Sequence, residues 1–281
     1  MLSKLIKYDM KAMSHWLLPI YALALLLTPL ERLAIEYING NLFNNDLNYV
    51  SYAFILNLTD GIRTVITFAF VIVLIAVVVA TSFLIIYRFY KNLVTNEGYL
   101  MHTLPVKTSQ LIWSKVISST IWYILSLMIV VVCLIGLVIG SPEWNEFFSS
   151  LPEAIAAFFA WYDNTAYAVL LIIEVIAIAI LSFPSTILMF YASIALGQLI
   201  TKHKILGAFG AYFLMTTALQ FLSTLIVIPF FTALIESPSP LSYVALIVTS
   251  LYPAGIAALI FVTAFCYFIT SYIFKKKLNL E

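Results

Sequence analysis

Six long apolar runs constrain this chain more than any other feature of its sequence. A run of about 20 apolar residues is long enough to cross the hydrocarbon core of a bilayer as a helix. The chain is 63% hydrophobic and 10% charged, whereas a soluble domain carries about 25% charged residues. We therefore predict an all-α polytopic membrane protein with one transmembrane domain over residues 1–281. The six predicted spans are at about 13–31, 62–88, 110–139, 166–199, 205–228 and 250–274.

The composition of the second run would suggest a strand if the chain were soluble. It contains VIVLIAVVVA, and β-branched residues are enriched in strands. In lipid, however, a spanning segment must satisfy its own backbone hydrogen bonds, which a single strand cannot do. We therefore predict helix for this run as for the other five.

The distribution of charge predicts the orientation of the spans. Lys and Arg concentrate in cytoplasmic loops and near the cytoplasmic ends of spans. Only two basic residues, Arg32 and Arg63, fall in the loops on the opposite side. The acidic residues of those outer loops are Glu31, Glu36, Asp46, Asp60, Glu143, Glu146, Glu153, Asp163 and Glu236. We therefore predict a multi-pass protein of the cell (cytoplasmic) membrane with both termini in the cytoplasm.

Three segments outside the spans have a composition typical of membrane interfaces. Residues 1–12 are basic and amphipathic, which predicts a short interfacial helix on the cytoplasmic side. Residues 141–164 mix aromatic and acidic side chains and suit a helix lying at the outer interface. Residues 229–250 are two apolar arms around SPSP, each too short to span. We predict a re-entrant helical hairpin there, with a plain surface loop as the alternative.

A polar insert interrupts the apolar sequence between the second and third spans, at NEGYLMHTLPVKTSQLIWSK, residues 96–115. Asn96 can cap a short helix, and Glu97 suits the first turn of that helix. Leu100 and Leu104 fall on one face of it. Pro105 disfavours helix at the preceding residue, so we predict a helix within 93–105. Isolated helices this short do not persist in water, so it must dock on its own spans or on a partner.

The stretch RFYKNLVTNEGYLMHTLPVKTSQLIWSK, residues 88–115, resembles the signature of the permease subunit of type-2 ABC transporters, in particular those of Gram-positive bacteria. That family has six spans, an N-terminal elbow helix and a re-entrant hairpin between its fifth and sixth spans. It also has a cytoplasmic coupling helix after the second span, seated in a cleft of the ATP-hydrolysing subunit. Residues 1–12, 229–250 and 93–105 match these three positions.

The resemblance implies roles for individual residues of the insert. Tyr99, Leu100 and Leu104 would insert into the cleft of the ATPase, and Glu97 would make a polar contact there. Gly98 would allow close approach, and Pro105 would fix the angle into the third span.

The resemblance also implies a function and partners. The chain would form the translocation pathway of an ATP-driven exporter for a hydrophobic or amphipathic peptide, drug or lipid-like molecule. A second permease subunit, identical or homologous, would complete the pathway. The chain itself would be no enzyme and hold no cofactor: it lacks a GxxxxGK[ST] sequence, so ATP and magnesium would bind the separate ATP-binding cassette subunit. Its net charge of +1 gives no basic field for nucleic acid.

Four further residues are candidates for the pathway or for packing. Glu174 lies within the fourth apolar run, where carboxylates are usually functional, although a snorkelling or paired carboxylate is the alternative. Pro184 predicts a kink in the same run and a possible gating position. Gly136 and Gly140 form a GxxxG motif, which permits close helix contact.

Two alternative functions stay open at this stage. An ion-coupled secondary transporter would use Glu174, although no internal repeat is visible. A peptide-binding immunity or sensor protein would signal through the insert. An intramembrane hydrolase is disfavoured because no paired Glu/His or Ser/His arrangement occurs at membrane depth.

Overall fold

A computed structural model describes residues 2–39, 49–95, 98, 107–161, 165–200, 202–236 and 247–276. No strand occurs within these ranges, which confirms the all-α prediction. The helices are α1 (Leu2–Asn39), α2 (Tyr49–Val94), α3 (Thr108–Val138), α4 (Pro142–Trp161), α5 (Thr165–Gly197), α6 (Lys204–Glu236) and α7 (Tyr252–Lys276). A single π-helical turn, Ile247–Leu251, immediately precedes α7.

Six of these helices are long and apolar enough to cross a membrane, which indicates a multi-pass membrane protein. They correspond to the six apolar runs of the sequence, and all of them extend beyond at least one predicted boundary. The largest extensions are in α1, which continues beyond the first apolar run through to Asn39, and in α2, which begins at Tyr49. The remaining helix, α4, falls where the sequence predicted an interfacial helix.

Two finer features predicted at the membrane surface are not confirmed. Residues 2–12 are the first turns of the uninterrupted helix α1, so no separate elbow helix is present. The first arm of the hairpin predicted at 229–250 continues α6 as far as Glu236. The last residues of the predicted hairpin, from Ile247 onwards, belong to the π turn that leads into α7. Residues 237–246 lie outside the described residues.

The chain divides into two compact units. The smaller unit comprises Lys7–Leu84 and Ile121–Phe148, and the larger comprises Met1–Ile6, Ile85–Thr120 and Ser149–Glu281.

In the smaller unit, α1 buries one narrow stripe of side chains. These residues recur every three or four positions, as one face of a helix requires. They are Met13, Leu17, Tyr21, Ala24, Thr28 and Glu31. Hydroxyl groups supplement the apolar contacts of this stripe: the Tyr21 hydroxyl lies 3.2 Å from Thr81 Oγ1 and 3.4 Å from the Trp122 carbonyl oxygen. One tyrosine of α1 thus reaches both α2 and α3.

In the larger unit, α5 packs against both α6 and α7. The last turns of α5 are the most buried part of this helix, with Leu188, Tyr191, Ala192 and Ala195 almost fully enclosed. At its other end, Ala168 packs with Val248 of the π turn. The unit is therefore organised around α5 along the length of that helix.

The junction between α5 and α6 depends on the absence of a side chain at Gly197. A Cβ at this position would lie 2.5 Å from the Ala208 nitrogen and 2.7 Å from the Ala208 Cα. These are backbone atoms, so the clash could not be relieved by rotating a side chain. In lipid, where helices gain no hydrophobic energy by associating, such close backbone contact is a main source of helix–helix stability.

We expect Gly197→Ala to lower the free energy of unfolding by about 1–3 kcal/mol, the usual cost of overpacking. Gly210→Ala is the matched control, because nothing lies within 4 Å of a Cβ placed there. This control should be neutral, or stabilising by up to about 1 kcal/mol through helix propensity. The measurement is reversible unfolding in detergent micelles. Equal effects of the two substitutions would contradict the close contact.

Candidate functional site

The predicted coupling helix at 93–105 is only partly within the described residues. Leu93 and Val94 end α2, and Gly98 is described. The remaining singled-out residues of the insert, Glu97, Tyr99, Leu100, Leu104 and Pro105, lie outside the described part of the chain.

Gly98 lies in close contact with the backbone at the end of α2, the helix that precedes it in the chain. Its N–H donates to the Thr95 carbonyl oxygen at 2.7 Å. A Cβ on Gly98 would lie 2.6 Å from the Leu93 carbonyl oxygen and 2.7 Å from the carbonyl carbon. Only glycine fits here without moving the backbone. The sequence hypothesis assigned this glycine to close contact with a partner, and the structure shows that it lets the chain turn closely against the end of α2.

Three aromatic rings fix the end of α2 that precedes the insert. Phe89 stacks on Tyr191 of α5 with ring centroids 3.6 Å apart and planes 8° from parallel. Its other neighbour is Phe274 of α7, which meets it edge to face at 5.7 Å. Phe89 and Tyr191 are almost fully buried. We call these three residues the aromatic base.

The beginning of α3, which follows the insert, is joined to the same base. The Tyr191 hydroxyl lies 2.7 Å from Ser119 Oγ and donates to the Lys115 carbonyl oxygen at 3.3 Å. A second pair of contacts ties α3 to α7: Ser109 Oγ and the Tyr267 hydroxyl are 2.8 Å apart. The Trp113 ring lies 5.4 Å from the Tyr267 ring. Both helices that carry the insert are therefore held against α5 and α7 within one unit.

Sequence reasoning did not find the aromatic base. Phe89, Tyr191 and Phe274 stand in apolar segments where aromatic residues are common, and nothing in their spacing distinguishes them. Lys115 gave the one available signal, because a cation two turns inside a predicted span is unusual. In the structure Lys115 is 4% exposed, and its backbone carbonyl oxygen accepts the hydrogen bond from the Tyr191 hydroxyl.

Glu174 lies on the buried face of α5, with 6% of its surface exposed. Its Oε2 atom is buried and has no hydrogen-bond partner among the described residues. Leu171 and Tyr167, one and two turns towards the start of the helix, pack against the Ala168–Val248 pair. Glu174 therefore follows an apolar cluster on the same helix.

Pro184 lies inside α5, between Glu174 and Tyr191. A proline there cannot donate a hydrogen bond to the carbonyl of Ile180, which weakens the helix locally. Next to it, the Thr186 hydroxyl donates to the Ser182 carbonyl oxygen at 2.9 Å. Hydroxyl groups that bond to the preceding turn often accompany bends in helices.

The two glycines of the GxxxG motif have different surroundings, both within the smaller unit. A Cβ on Gly136 would lie 2.8 Å from Thr28 Cγ2, so this glycine lets α3 approach α1 of the same chain. Gly140 has a φ of +79°, the left-handed conformation that glycine adopts where a helix ends. Close to it, Arg32 Nη1 donates to the Leu137 carbonyl oxygen at 2.8 Å, which satisfies a carbonyl in the last turn of α3.

A second buried carboxylate, Glu31, was counted in the sequence only as an outer-loop charge. It is 3% exposed and accepts a hydrogen bond from Thr67 Oγ1 at 2.7 Å through Oε1. Its Oε2 has no hydrogen-bond partner among the described residues. The length of α1, which continues beyond the first apolar run, explains why Glu31 is enclosed between helices rather than exposed in a loop.

No family model matches the chain, and neither the curated proteins nor the solved structures compared with it contain a match. In the described part of the chain, no group of three or more His, Cys, Asp or Glu residues could hold a metal ion.

Two substitutions at Tyr191 separate its hydroxyl from its ring. Tyr191→Phe removes the contacts to Ser119 and Lys115, and we expect a loss of about 1 kcal/mol in the free energy of unfolding. Tyr191→Ala also removes the stack on Phe89 and should cost about 3–5 kcal/mol. Chemical unfolding in detergent measures both. If the two variants were equally stable, the stacked ring would contribute nothing to this unit.

Proposed function

We propose that this chain is the membrane-spanning subunit of an ATP-driven ABC exporter. It would form part of the translocation pathway for a hydrophobic or amphipathic molecule, with a second permease subunit completing that pathway. A separate ATP-binding cassette subunit would hydrolyse ATP and dock on the predicted coupling helix at 93–105. The proposal rests on the resemblance of residues 88–115 to permease signatures, and the observation that supports it is the aromatic base.

Coupling makes a mechanical demand that the aromatic base can meet. Shifting a two-state protein from about 1:99 to 99:1 requires roughly 5.5 kcal/mol of differential interaction. A loosely attached insert would dissipate a displacement applied to it. Here α2 ends one turn after Phe89, and α3 starts at Thr108, shortly before its contacts with Tyr267 and Tyr191.

The buried contacts define where such a displacement would go. Movement of the end of α2 would push the Phe89 ring against Tyr191 and Phe274, which belong to α5 and α7. Movement of the start of α3 would reach Tyr191 through Ser119 and the Lys115 carbonyl. Both routes converge on Tyr191, so the insert would drive α5 in particular.

The burial of Glu174 favours a second candidate, an ion-coupled secondary transporter. A buried carboxylate in an apolar helix, with one oxygen that accepts no hydrogen bond, is a suitable group for carrying a proton. The two candidates differ in their energy source. A proton gradient alone should drive substrate movement in proteoliposomes if the chain is such a carrier, whereas an exporter requires ATP and its ATPase subunit.

Leu100→Asp tests the docking of the insert. We expect this change to remove the ATPase that co-purifies with the chain from its native host in mild detergent, because a charged group would replace an apolar contact. The ATPase is identified by mass spectrometry and by nucleotide-dependent hydrolysis. The permease should keep its gel-filtration profile, because Leu100 lies in the insert and outside the apolar spans.

Leu199→Asp is the matched control for this experiment. Leu199 is 45% exposed in the turn after α5, at the other predicted cytoplasmic connection. The same chemical change there should leave the ATPase bound. If Leu100→Asp retained the ATPase, the proposed docking face would be wrong. If the wild-type chain brought no ATPase with it, the exporter proposal itself would fail.

A second pair of variants tests the aromatic base as a coupling element. Tyr191→Ala should reduce substrate-stimulated ATP hydrolysis by the purified complex at least several-fold, while the ATPase stays bound. Phe190→Ala removes a neighbouring stack on the same helix, between Phe190 and Tyr212 of α6 with centroids 5.2 Å apart. That stack does not involve α2 or α3, so stimulation should persist. Equal loss in both variants would indicate general loosening of α5 rather than coupling through Tyr191.

A further inference from the structure

We infer that Glu174 is the binding point for a cationic group of the transported molecule, so that the cargo is an amphipathic organic cation bearing an ammonium or guanidinium group. This inference rests on the proposed function and specifies its substrate class.

The first observation is the absence of a partner for a buried charge. Glu174 is 6% exposed, and Oε2 has no hydrogen-bond partner in the described ranges. An isolated carboxylate away from water is costly unless a cation or a proton accompanies it. The enclosed position also means that its desolvation has already occurred on folding, before any ligand arrives.

The second observation is the distance of Glu174 from five basic residues of its unit. Tyr191 is seventeen residues further along α5, about 26 Å at about 1.5 Å per residue. Around Tyr191 the structure places Lys115, together with the ends of α2 and α7. The basic residues Arg88, Lys91, Lys275 and Lys276 belong to those helix ends. A lysine or arginine side chain spans far less than 26 Å, so these residues do not reach Glu174.

Two segments outside the described residues adjoin this end of the unit in sequence. Residues 162–164, which precede α5, and 237–246, which precede the π turn, contain neither Lys nor Arg. Glu174 is therefore balanced either by a proton or by a cation that another molecule supplies.

The third observation is the apolar cluster beside the carboxylate. Phe158, Phe159, Tyr167 and Leu171 pack around the Ala168–Val248 pair. Leu171 is one turn from Glu174 on the same face of α5, and Tyr167 is two turns away. An amphipathic cation could place its apolar body on this cluster and its charged group on the carboxylate. Aromatic rings also attract cations through their faces.

The helices beside this position have two irregular points that could open it. Val248 belongs to the π turn Ile247–Leu251, and Pro253 is the second residue of the helix that follows it. Such π turns are rare and are found frequently at functional sites. On α5 itself, Pro184 lies ten residues beyond Glu174. In this structure the carboxylate is enclosed, so a ligand would reach it only after these surroundings open.

The predicted charge of the outer surface agrees with a cationic cargo. Apart from the enclosed Glu31, eight acidic residues and two basic residues, Arg32 and Arg63, fall in the segments predicted to lie outside. A surface of one predominant sign raises the local concentration of ions of the opposite sign.

The test measures binding of two probes to the full-length chain in phosphatidylcholine nanodiscs, whose lipid has no net charge. The first probe is a fluorescent amphipathic peptide with a lysine face, compared with the same peptide after acetylation of its lysines. The second is tetraphenylphosphonium, a small permanent cation. We expect the lysine peptide to bind at least about tenfold more tightly than its acetylated form. This ratio of dissociation constants corresponds to the usual free energy of a charged hydrogen bond.

Glu174→Gln should abolish this preference for the charged peptide. Glu153→Gln, which removes the same charge from an exposed position on α4, should preserve it within about twofold. Tetraphenylphosphonium binding that also depends on Glu174 would identify small organic cations as a cargo class. Binding of the peptide alone would restrict the cargo to peptides.

Three results would overturn the inference. They are no preference for the charged peptide in the wild-type chain, an undiminished preference in Glu174→Gln, or an equal loss in Glu153→Gln. If Glu174→Gln does not fold, the acetylated peptide still allows a refutation, because an absent preference in the wild-type chain overturns the inference. Failure here with a co-purifying ATPase would leave the exporter proposal intact. A cation preference without any ATPase would refute the exporter and retain the site.

Discussion

The hydrogen bond between a peptide N–H and the carbonyl four residues earlier is the interaction on which this structure depends. In the core of a bilayer no water can replace it, so each spanning segment must close these bonds within itself. This explains why VIVLIAVVVA, which would form a strand in many soluble proteins, lies in the middle of helix α2. Three of the helices, α1, α2 and α6, continue well past their apolar runs.

Once the helices exist, something other than hydrophobicity must join them, because lipid tails are as apolar as the side chains they would replace. The structure uses two devices. Small residues bring backbones together, as Gly136 does at Thr28 and Gly197 at Ala208. Polar groups then connect the helices, as Tyr21 does at Thr81. Each contact contributes modestly, so α5 in the larger unit is held by many of them along its length.

The sequence predicted the helices far better than it predicted their contacts. Length and hydropathy were sufficient for the six spans, because the bilayer imposes one solution on any apolar run of about 20 residues. The ends of the helices were less predictable. Residues 2–12 and 229–236 looked like surface segments by composition, yet both continue a neighbouring helix. Composition alone does not show where a helix that has already formed will stop.

Side-chain partnerships were the least predictable feature. Phe89, Tyr191 and Phe274 are far apart in sequence, and each is an unremarkable aromatic residue in an apolar context. Their association depends on how α2, α5 and α7 pack, which no local pattern encodes. The glycines show the same limit: GxxxG indicated close packing, and the structure divides that role between a contact at Gly136 and a helix end at Gly140.

Glu31 and Glu174 are both buried carboxylates, and each has an Oε2 atom without a hydrogen-bond partner among the described residues. Glu31 also accepts a hydrogen bond from Thr67 through Oε1, which connects α1 to α2 within the smaller unit. Glu174 follows an apolar cluster on α5. A carboxylate that is already desolvated gains more from an arriving cation than an exposed one would.

Helix α5 carries both features on which the functional proposals rest. Glu174 and Tyr191 lie about 26 Å apart on it at about 1.5 Å per residue, and Pro184 lies between them. Coupling between two sites needs an element with two arrangements whose balance both sites influence. A rigid helix would transmit a shift but could not hold two states by itself. Because Pro184 has no N–H to bond to the preceding turn, α5 can bend at this point. A cation at Glu174 would thus affect the aromatic base, and through it the insert, only to the extent that it favours one bend of α5 over the other.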